Sequence, residues 1–371
     1  MSTTATDLSP AAAAFDVRPT DVPLADAERE ALMASPTFGT VFTDHMARVT
    51  WTADAGWHDR RVEKHGPLLL SPASAVLHYG QEVFEGLKGY RHADGSVWTF
   101  RPQANAARFQ ASARRLALPE LPVEDFLGSI EALVRADRAW VPSGEETSLY
   151  LRPFMYASET FLGVRPSREA EYVVIASPVG PYFSGGVKPV SIWVAQDYHR
   201  AGPGGTGAAK CGGNYAASLL PQQAAYAQGC EQVCFLDAAT NTFLEELGGM
   251  NVFVVLASGE VVTPGLNGSI LEGVTRSSIL TLLQEAGHAV TERPVPLAEL
   301  LDGLADGTVT EVFACGTAAV VTPIGRLAGD GFDLTVAGGA TGAVTSAVRT
   351  RLTDIQYGRT PDSHGWMHRL V

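Results

Sequence analysis

The sequence predicts an α+β protein of two domains, and three observations carry that expectation. The chain has 371 residues, 46% hydrophobic and 18% charged, a globular balance with length for two cores of roughly 100–200 residues each. Short β-rich runs alternate with amphipathic helical segments in the first half, whereas the second half reads as a strand meander interrupted by helices. Between them, Pro178-Val-Gly-Pro-Tyr-Phe-Ser-Gly-Gly-Val-Lys-Pro189 is dense in turn residues. We therefore expect a mobile arm over 1–34, a smaller domain over 35–177, an interdomain connection over 178–189 and a larger domain over 190–371.

The pattern predicts strands at Thr40–Asp44 and Ala47–Trp51 and through VLHYGQEVFEGLKGYRH (76–92). An Asp-Gly turn then leads into VWTFR (97–101). Apolar side chains at helical spacing predict helices over Gln103–Leu116 and Val123–Trp140, the second burying Phe126, Ile130, Leu133 and Val134. Strands follow at Ser148–Met155 and Glu171–Ser177. Beyond the connection we expect strands at Val190–Ala195, Glu231–Asp237, Thr242–Leu247, Met250–Ala257, Glu260–Thr263 and Thr310–Ala314. Helices are expected at Ala216–Gln228, Thr275–Ala286 and Thr341–Gln356.

Composition narrows the function. A net charge of −13 offers no basic field for a polyanion, so nucleic acid is not an expected partner. The four cysteines, Cys211, Cys230, Cys234 and Cys315, form no C-x-x-C pair, and the nine histidines lack the H-E-x-x-H spacing of a metal site. Reduced thiols, no metal and a cytoplasmic setting are expected. The first twenty residues lack a basic n-region and a sustained apolar core, so they do not read as a signal peptide, and no apolar run approaches the roughly 20 residues that span a bilayer.

Lys210 stands in Gly-Gly-Thr-Gly-Ala-Ala-Lys-Cys-Gly-Gly-Asn-Tyr (204–215). A solubilising lysine needs no such clearing of small residues. A lysine that bonds covalently to an aldehyde needs partial desolvation and room for a flat group against the backbone. The alternative is a glycine-rich surface loop. Two rival motifs fail: Gly202-Pro-Gly-Gly-Thr-Gly207 satisfies G-x-G-x-x-G but neither leaves a strand directly nor opens a helix, and Ala209 and Cys211 break a Walker-type loop.

Four further features could serve one cofactor, each beside a plainer alternative. Gly273-Val-Thr-Arg276 opens a helix, whose free amides attract phosphate, or it is an ordinary helix start. Glu246 could keep a pyridine nitrogen protonated, or be a solvated hairpin charge. The Tyr215 hydroxyl could meet a phenolic oxygen, or be satisfied within the core. Cys315-Gly-Thr-Ala318 ends a strand with exposed amides suited to an anion, and is also a common strand end.

The residues taken together resemble the branched-chain amino acid aminotransferases, pyridoxal-phosphate enzymes of class IV (fold type IV), over about residues 38–371. The resemblance rests on segments in the family's order: LHYGQEVFEGLKGY (77–90), FRPQANAARF (100–109), LYLRPF (149–154), SPVGPYF (177–183), KCGGNYAASL (210–219), EELGGMNVF (245–253), PGLNGSILEGVTR (264–276), EVFACGTAAVVTP (311–323) and IQYG (355–358). It implies a smaller N-terminal α/β sandwich domain and a larger C-terminal β-barrel-like domain with flanking helices. The implied cofactor is pyridoxal 5'-phosphate, and the implied assembly is a homodimer or higher homo-oligomer with active sites near the subunit boundary.

Residue by residue, the resemblance implies that Lys210 holds the cofactor covalently and then moves the α-proton. Tyr215 would face the phenolic oxygen and Glu246 the pyridine nitrogen. Arg108, the Val274 and Thr275 amides and Thr317 would hold the phosphate, with Leu271 against one ring face. The substrate carboxylate would lie near Tyr79 and the amides of Thr317 and Ala318. Phe84 and Tyr182 would line the side-chain pocket, with Tyr150, Arg152 and Val164 matching positions contributed by a neighbouring subunit. Arg152 is the candidate for the glutamate side chain. The implied reaction passes the amino group of leucine, isoleucine or valine to 2-oxoglutarate.

Rivals within the class are D-amino acid aminotransferase and aminodeoxychorismate lyase, which share the lysine, the phosphate grip and the pyridine acid. The long N-terminal domain, LYLRPF and SPVGPYF favour the branched-chain enzyme. An NAD-dependent dehydrogenase or a catalytically silent binding protein are the readings from other classes. Some relatives carry a redox C-x-x-C just after the Gly-Thr-Ala segment; here Ala319 and Thr322 stand there, so no such thiol switch is expected.

Overall fold

The computed structural model describes residues 9–180 and 187–371, which divide into two compact units. The first holds residues 9–180 together with Ala209–Cys211 and Ile355–Val371; the second holds residues 187–208 and Gly212–Asp354.

The first unit runs α1 (Pro10–Ala13), β1 (Asp16–Val17), α2 (Asp26–Met33), β2 (His45–Thr52), β3 (Gly56–Lys64), α3 (Ala75–Tyr79), β4 (Glu82–Phe84), β5 (Leu87–Arg91), β6 (Val97–Phe100), α4 (Pro102–Arg115), α5 (Val123–Ala136), β7 (Ser148–Ala157) and β8 (Glu169–Val179). Its strands form one sheet in the order β1-β3-β2-β8-β7-β5-β6, with β4 also on β7. The β7–β8 ladder is antiparallel from Ser148 opposite Val179 to Ala157 opposite Ala170. That register puts Tyr150 and Arg152 on one face of the sheet, two residues apart.

Helices α4 and α5 pack on this sheet for reasons visible in their ends and faces. Pro102 opens α4 where its missing N–H costs nothing, and Arg114 and Arg115 close it at the negative end of the helix dipole. Glu124 and Asp125 occupy the first turn of α5. Phe126, Ile130, Leu133 and Val134 are all buried. Phe109 meets Phe126 with ring centroids 5.6 Å apart and Tyr172 at 5.5 Å, and the Tyr172 hydroxyl pairs with Ser129 at 3.0 Å.

The second unit runs β9 (Val190–Ala195), α6 (Gly212–Ala227), β10 (Gln232–Leu236), β11 (Leu244–Leu247), β12 (Asn251–Leu256), β13 (Val261–Thr263), α7 (Val274–Glu285), β14 (Val290–Glu292), α8 (Leu297–Asp306), β15 (Val309–Gly316), β16 (Val320–Gly329), β17 (Phe332–Thr335) and α9 (Ala343–Gln356). Its sheet has the order β11-β10-β9-β16-β15-β12-β13-β14, with β17 on β16. Only residues 248–250 separate β11, at one end of that path, from β12, its sixth strand, so the sheet curls back on itself. The Leu247 amide closes this turn on the Met250 carbonyl at 2.9 Å. Phe253 and Phe313, opposite one another on β12 and β15, stack at 4.9 Å in its core. The Glu311 carboxylate accepts from the Val344 and Thr345 amides at 3.0 and 2.8 Å and so caps α9. After α9, β18 (Met367–Arg369) pairs with β6 in the first unit's sheet.

Several expectations need correcting. The segment VLHY is helical in α3, not extended. Gly80, at φ +57°, ends it in a left-handed conformation, which strand propensity alone does not foresee. Residues 10–33 are not a bare arm. Ala12 and Phe15 are buried, β1 pairs with β3, and α1 lies so close to α5 that a Cβ on Gly128 would come within 2.6 Å of the Ala11 carbonyl oxygen. Residues 209–211 and 355–371 pack with the first unit, which is thereby the larger of the two rather than the smaller domain expected. Of the expected connection, 181–186 lie outside the described residues, while β8 extends to Val179. Among the described residues no helix is long and apolar enough to cross a membrane, and no His, Cys, Asp and Glu cluster could hold a metal ion.

Candidate active site

In the first unit the structure gathers Lys210, Phe84, Glu85 and Arg108. The Phe84 amide donates to the Lys210 carbonyl at 3.0 Å, and the Lys210 amide donates to the Ser112 hydroxyl of α4 at 2.9 Å. The lysine backbone is thus seated from both sides, with Nζ 4.9 Å from the centroid of the Phe84 ring. Ala209 and Cys211, its neighbours, are buried in the core. The residues on either side of the lysine are therefore packed, while Gly204, Gly205, Ala208 and Gly213 of the same small-residue segment are exposed.

Arg108, on α4, is held by the fully buried Glu85, with Nε on Oε1 at 2.7 Å and Nη2 on Oε2 at 2.9 Å. Burial by itself would push the Glu85 carboxyl up. The Arg108 charge and hydrogen bonds, with the charge of Lys210, outweigh that and hold it below the ordinary carboxylate range.

The sheet assembles a second cluster in the same unit. Antiparallel pairing of β4 with β7 sets Phe84 opposite Phe154. The Arg152 guanidinium lies 4.8 Å from the Phe84 ring centroid, and its Nη2 donates to the Tyr150 hydroxyl at 3.0 Å. Phe38 adds an edge contact to Tyr150 at 4.9 Å. Phe84, Tyr150 and Arg152 of one chain thus form an aromatic wall with a cation beside it. Tyr79, on α3, is partly exposed and donates its hydroxyl to the Leu162 carbonyl. Val164 is 87% exposed. Tyr182 lies outside the described residues.

In the second unit Glu246 is buried on β11. Its Oε1 takes the Arg200 guanidinium at 2.7 Å and the Leu271 amide at 2.8 Å, and its Oε2 faces Asn251 Nδ2 at 3.3 Å. Strand alternation points the adjacent Glu245 to the other face, where Asn267 donates to it at 3.1 Å and burial pushes its carboxyl up. Of the two neighbouring acids, Glu246 makes the direct ion pair with Arg200, whose charge also bears on Glu245.

Leu271 precedes α7, which begins at Val274 and Thr275 behind Gly273. Gly273 supplies no capping side chain, and a Cβ there would collide with Asn251 Oδ1. Tyr215 lies on α6, near the β11–β12 turn: a Cβ on Gly249 would come within 3.7 Å of its ring. Thr317 and Ala318 form the turn between β15 and β16, half-buried.

Two residues escaped the sequence analysis. Glu85 carried a signal, a carboxylate inside the apolar run Val83-Phe84-Glu85-Gly86-Leu87, which a strand buries only with a partner. Arg200 carried none, because its partners, Glu246 and the carbonyls of Gly207 (2.8 Å) and Ser269 (2.6 Å), come from separate segments.

Residues 82–327 match the family model of the class IV amino-transferases. The chain is 56% identical over 358 residues to the probable branched-chain-amino-acid aminotransferase of Streptomyces coelicolor, covering 96% of this chain and 99% of that protein. It is 54% identical over 360 residues to the branched-chain-amino-acid aminotransferase of Mycolicibacterium smegmatis, covering 96% and 98%. Among solved structures, the branched-chain amino acid aminotransferase of Escherichia coli superposes with a TM-score of 0.73 at 27% identity, over 88% of this chain and 100% of that one. That of a T.th. strain, solved with pyridoxamine 5'-phosphate, gives 0.72 at 29% identity over 88% and 99%. The likeness agrees with the α+β, fold-type IV class expected from the sequence. The chain belongs to the class IV aminotransferases and, within them, to the branched-chain-amino-acid aminotransferase family.

Proposed function

We propose that the protein transfers the amino group of L-leucine, L-isoleucine or L-valine to 2-oxoglutarate with pyridoxal 5'-phosphate as cofactor, working in the cytoplasm as a homodimer or larger assembly. The observation that carries the reading is Lys210. It is an amine on a backbone seated by Phe84 and Ser112, between buried neighbours and against an aromatic ring.

The residues present suit the cofactor in each unit. Arg108 is an oriented guanidinium for a phosphate, and the α7 start, where Gly273 supplies no capping side chain, has amides of the kind that bind one. Glu246 holds a buried carboxylate charge fit to face a ring nitrogen, with Leu271 tied to it through its amide. Tyr215 offers a phenol, and Thr317 and Ala318 a turn with amides for phosphate or substrate carboxylate. When bound, the cofactor ring withdraws electrons from the substrate α-carbon.

Lys210 would take the α-proton and return it at the C4′ position of the cofactor. Phe84 would receive the branched side chain. Arg152, over that ring, would receive the carboxylate of glutamate. Tyr79, Tyr150, Val164 and Tyr182 complete the substrate contacts in this reading.

An assay with L-leucine, D-alanine and aminodeoxychorismate separates this reading from its rivals in the class, and only the first should turn over with 2-oxoglutarate. Lys210→Ala should lose both turnover and the visible absorbance of bound cofactor. If that variant keeps both, the lysine is misassigned.

A further inference from the structure

Glu85 has no place in the reaction as described so far, yet its setting is unusual. Its backbone is fixed between β4 and β5, where its amide donates to the Pro153 carbonyl at 2.7 Å. Its side chain is fully buried and receives donors at both oxygens. Arg108 takes both, Asn105 Nδ2 reaches Oε2 at 2.8 Å, and the Gly86 amide reaches Oε2 at 3.2 Å. Asn105 and Arg108 stand three residues apart on α4 and so share a face of that helix. Lys210 is close enough for its charge to bear on the same carboxylate.

A buried ion pair is weak evidence of a stabilising role, since an apolar pair of equal volume packs as well. What a carboxylate gives a guanidinium is a fixed plane and a fixed edge. Two cations, Arg108 and Lys210, also share this one buried anion.

We propose that Glu85 is a positioning residue: it holds the Arg108 guanidinium edge-on and balances the charges of Arg108 and Lys210. On this account the phosphate grip and the reactive amine keep fixed places before the cofactor arrives. The inference rests on the functional reading above and adds to it a residue that touches neither substrate nor cofactor.

Simple charge counting and positioning predict opposite outcomes, which makes the test sharp. Removing an anion raises the local positive charge and, by Coulomb attraction alone, would tighten phosphate binding. Removing a positioning group lets the fork swing away and weakens it.

The experiment uses the full chain as Glu85→Gln and Glu85→Asp, with circular dichroism to confirm folding. Affinity of the resolved apoprotein for pyridoxal 5'-phosphate is measured by equilibrium dialysis, and the absorbance of each holoprotein is titrated with pH. Glu85→Gln should bind the cofactor roughly ten- to a hundredfold more weakly, the scale of a lost charge-assisted contact. Its absorbance midpoint should fall by about one pH unit, because a neighbouring anion favours the protonated form.

Glu85→Asp keeps the charge and shortens the reach, so its midpoint should stay near that of the parent while affinity still drops. It carries the test alone if Glu85→Gln does not fold. Unchanged or tighter binding in a folded variant, or an unmoved midpoint in Glu85→Gln, overturns the proposal. If the parent protein takes up no cofactor at all, the functional reading fails with it. If the parent binds and the variants bind equally, only the role of Glu85 falls.

Discussion

The Arg200 guanidinium reaches the Glu246 carboxylate at 2.7 Å with both side chains buried. The same guanidinium nitrogen donates to the Gly207 and Ser269 carbonyls. One arginine therefore compensates a buried acid and ties two loop segments of the second unit together.

Arg200→Met should accordingly lower stability by about 3–5 kcal/mol, the cost of leaving a buried charge without its partner. Urea unfolding at pH 7 measures it. A loss no larger than that of an exposed ion pair would show that Glu246 does not depend on Arg200.

Asp237 sets a pH dependence of known sign. Burial alone would raise its carboxyl, but the amides of Phe243, Thr242 and Thr240 donate to it at 2.7–2.8 Å and bring it down to about 2. An unfolded aspartate titrates at about 3.9. The folded state therefore gains from the ionised group above that value and loses the gain as pH falls towards 2. The contribution at neutral pH is about 1–2 kcal/mol once solvent screening at this loop is allowed for. Asp237→Asn should be less stable than the parent at pH 7, and the gap between their urea midpoints should close by pH 2.

Arg152→Met should separate the two half-reactions. The aromatic wall of Phe84 and Tyr150 stays, so single turnovers with leucine should keep their rate within about threefold. Those with glutamate should weaken roughly tenfold or more in apparent affinity, the scale of a lost charged hydrogen bond. Equal loss for both substrates would remove Arg152 from the glutamate contact.

Phe109→Ala should cost about 3–5 kcal/mol, because the ring fills the space between Phe126 and Tyr172 and cannot be replaced by collapse. Chemical denaturation gives the value, and a cost below about 1 kcal/mol would mean that α4 is free to close the gap.

Oxidation should leave activity intact. All four cysteines are free and buried. Burial raises the Cys234 thiol to about 12 and pushes Cys315 up as well, so neither offers much thiolate at neutral pH. Peroxide treatment followed by reductant should show no reversible loss of turnover; a reversible loss with a new disulfide on peptide mapping would contradict this.

What could be read in advance follows from how local each signal is. The faces of α4 and α5 and the position of Lys210 among small residues rest on neighbours within a few residues. Helix α3 was hidden because Val-Leu-His-Tyr favours strand, while its helical form depends on the left-handed turn at Gly80. Strand β18 is three residues long and pairs with Trp98–Phe100, far back along the chain, where no period reaches. Arg200 and Glu246 are likewise distant in sequence, and buried charge becomes legible only when both members of the pair are in view.

The seating of Lys210 has a consequence for the integrity of the polypeptide. The two groups that fix its backbone, the Phe84 amide and the Ser112 hydroxyl, precede it by about a hundred residues or more. A fragment beginning at residue 187 would retain Lys210 and lose its moorings. Proteolytic nicking followed by separation of the pieces would therefore unseat Lys210 without altering a single atom of its side chain.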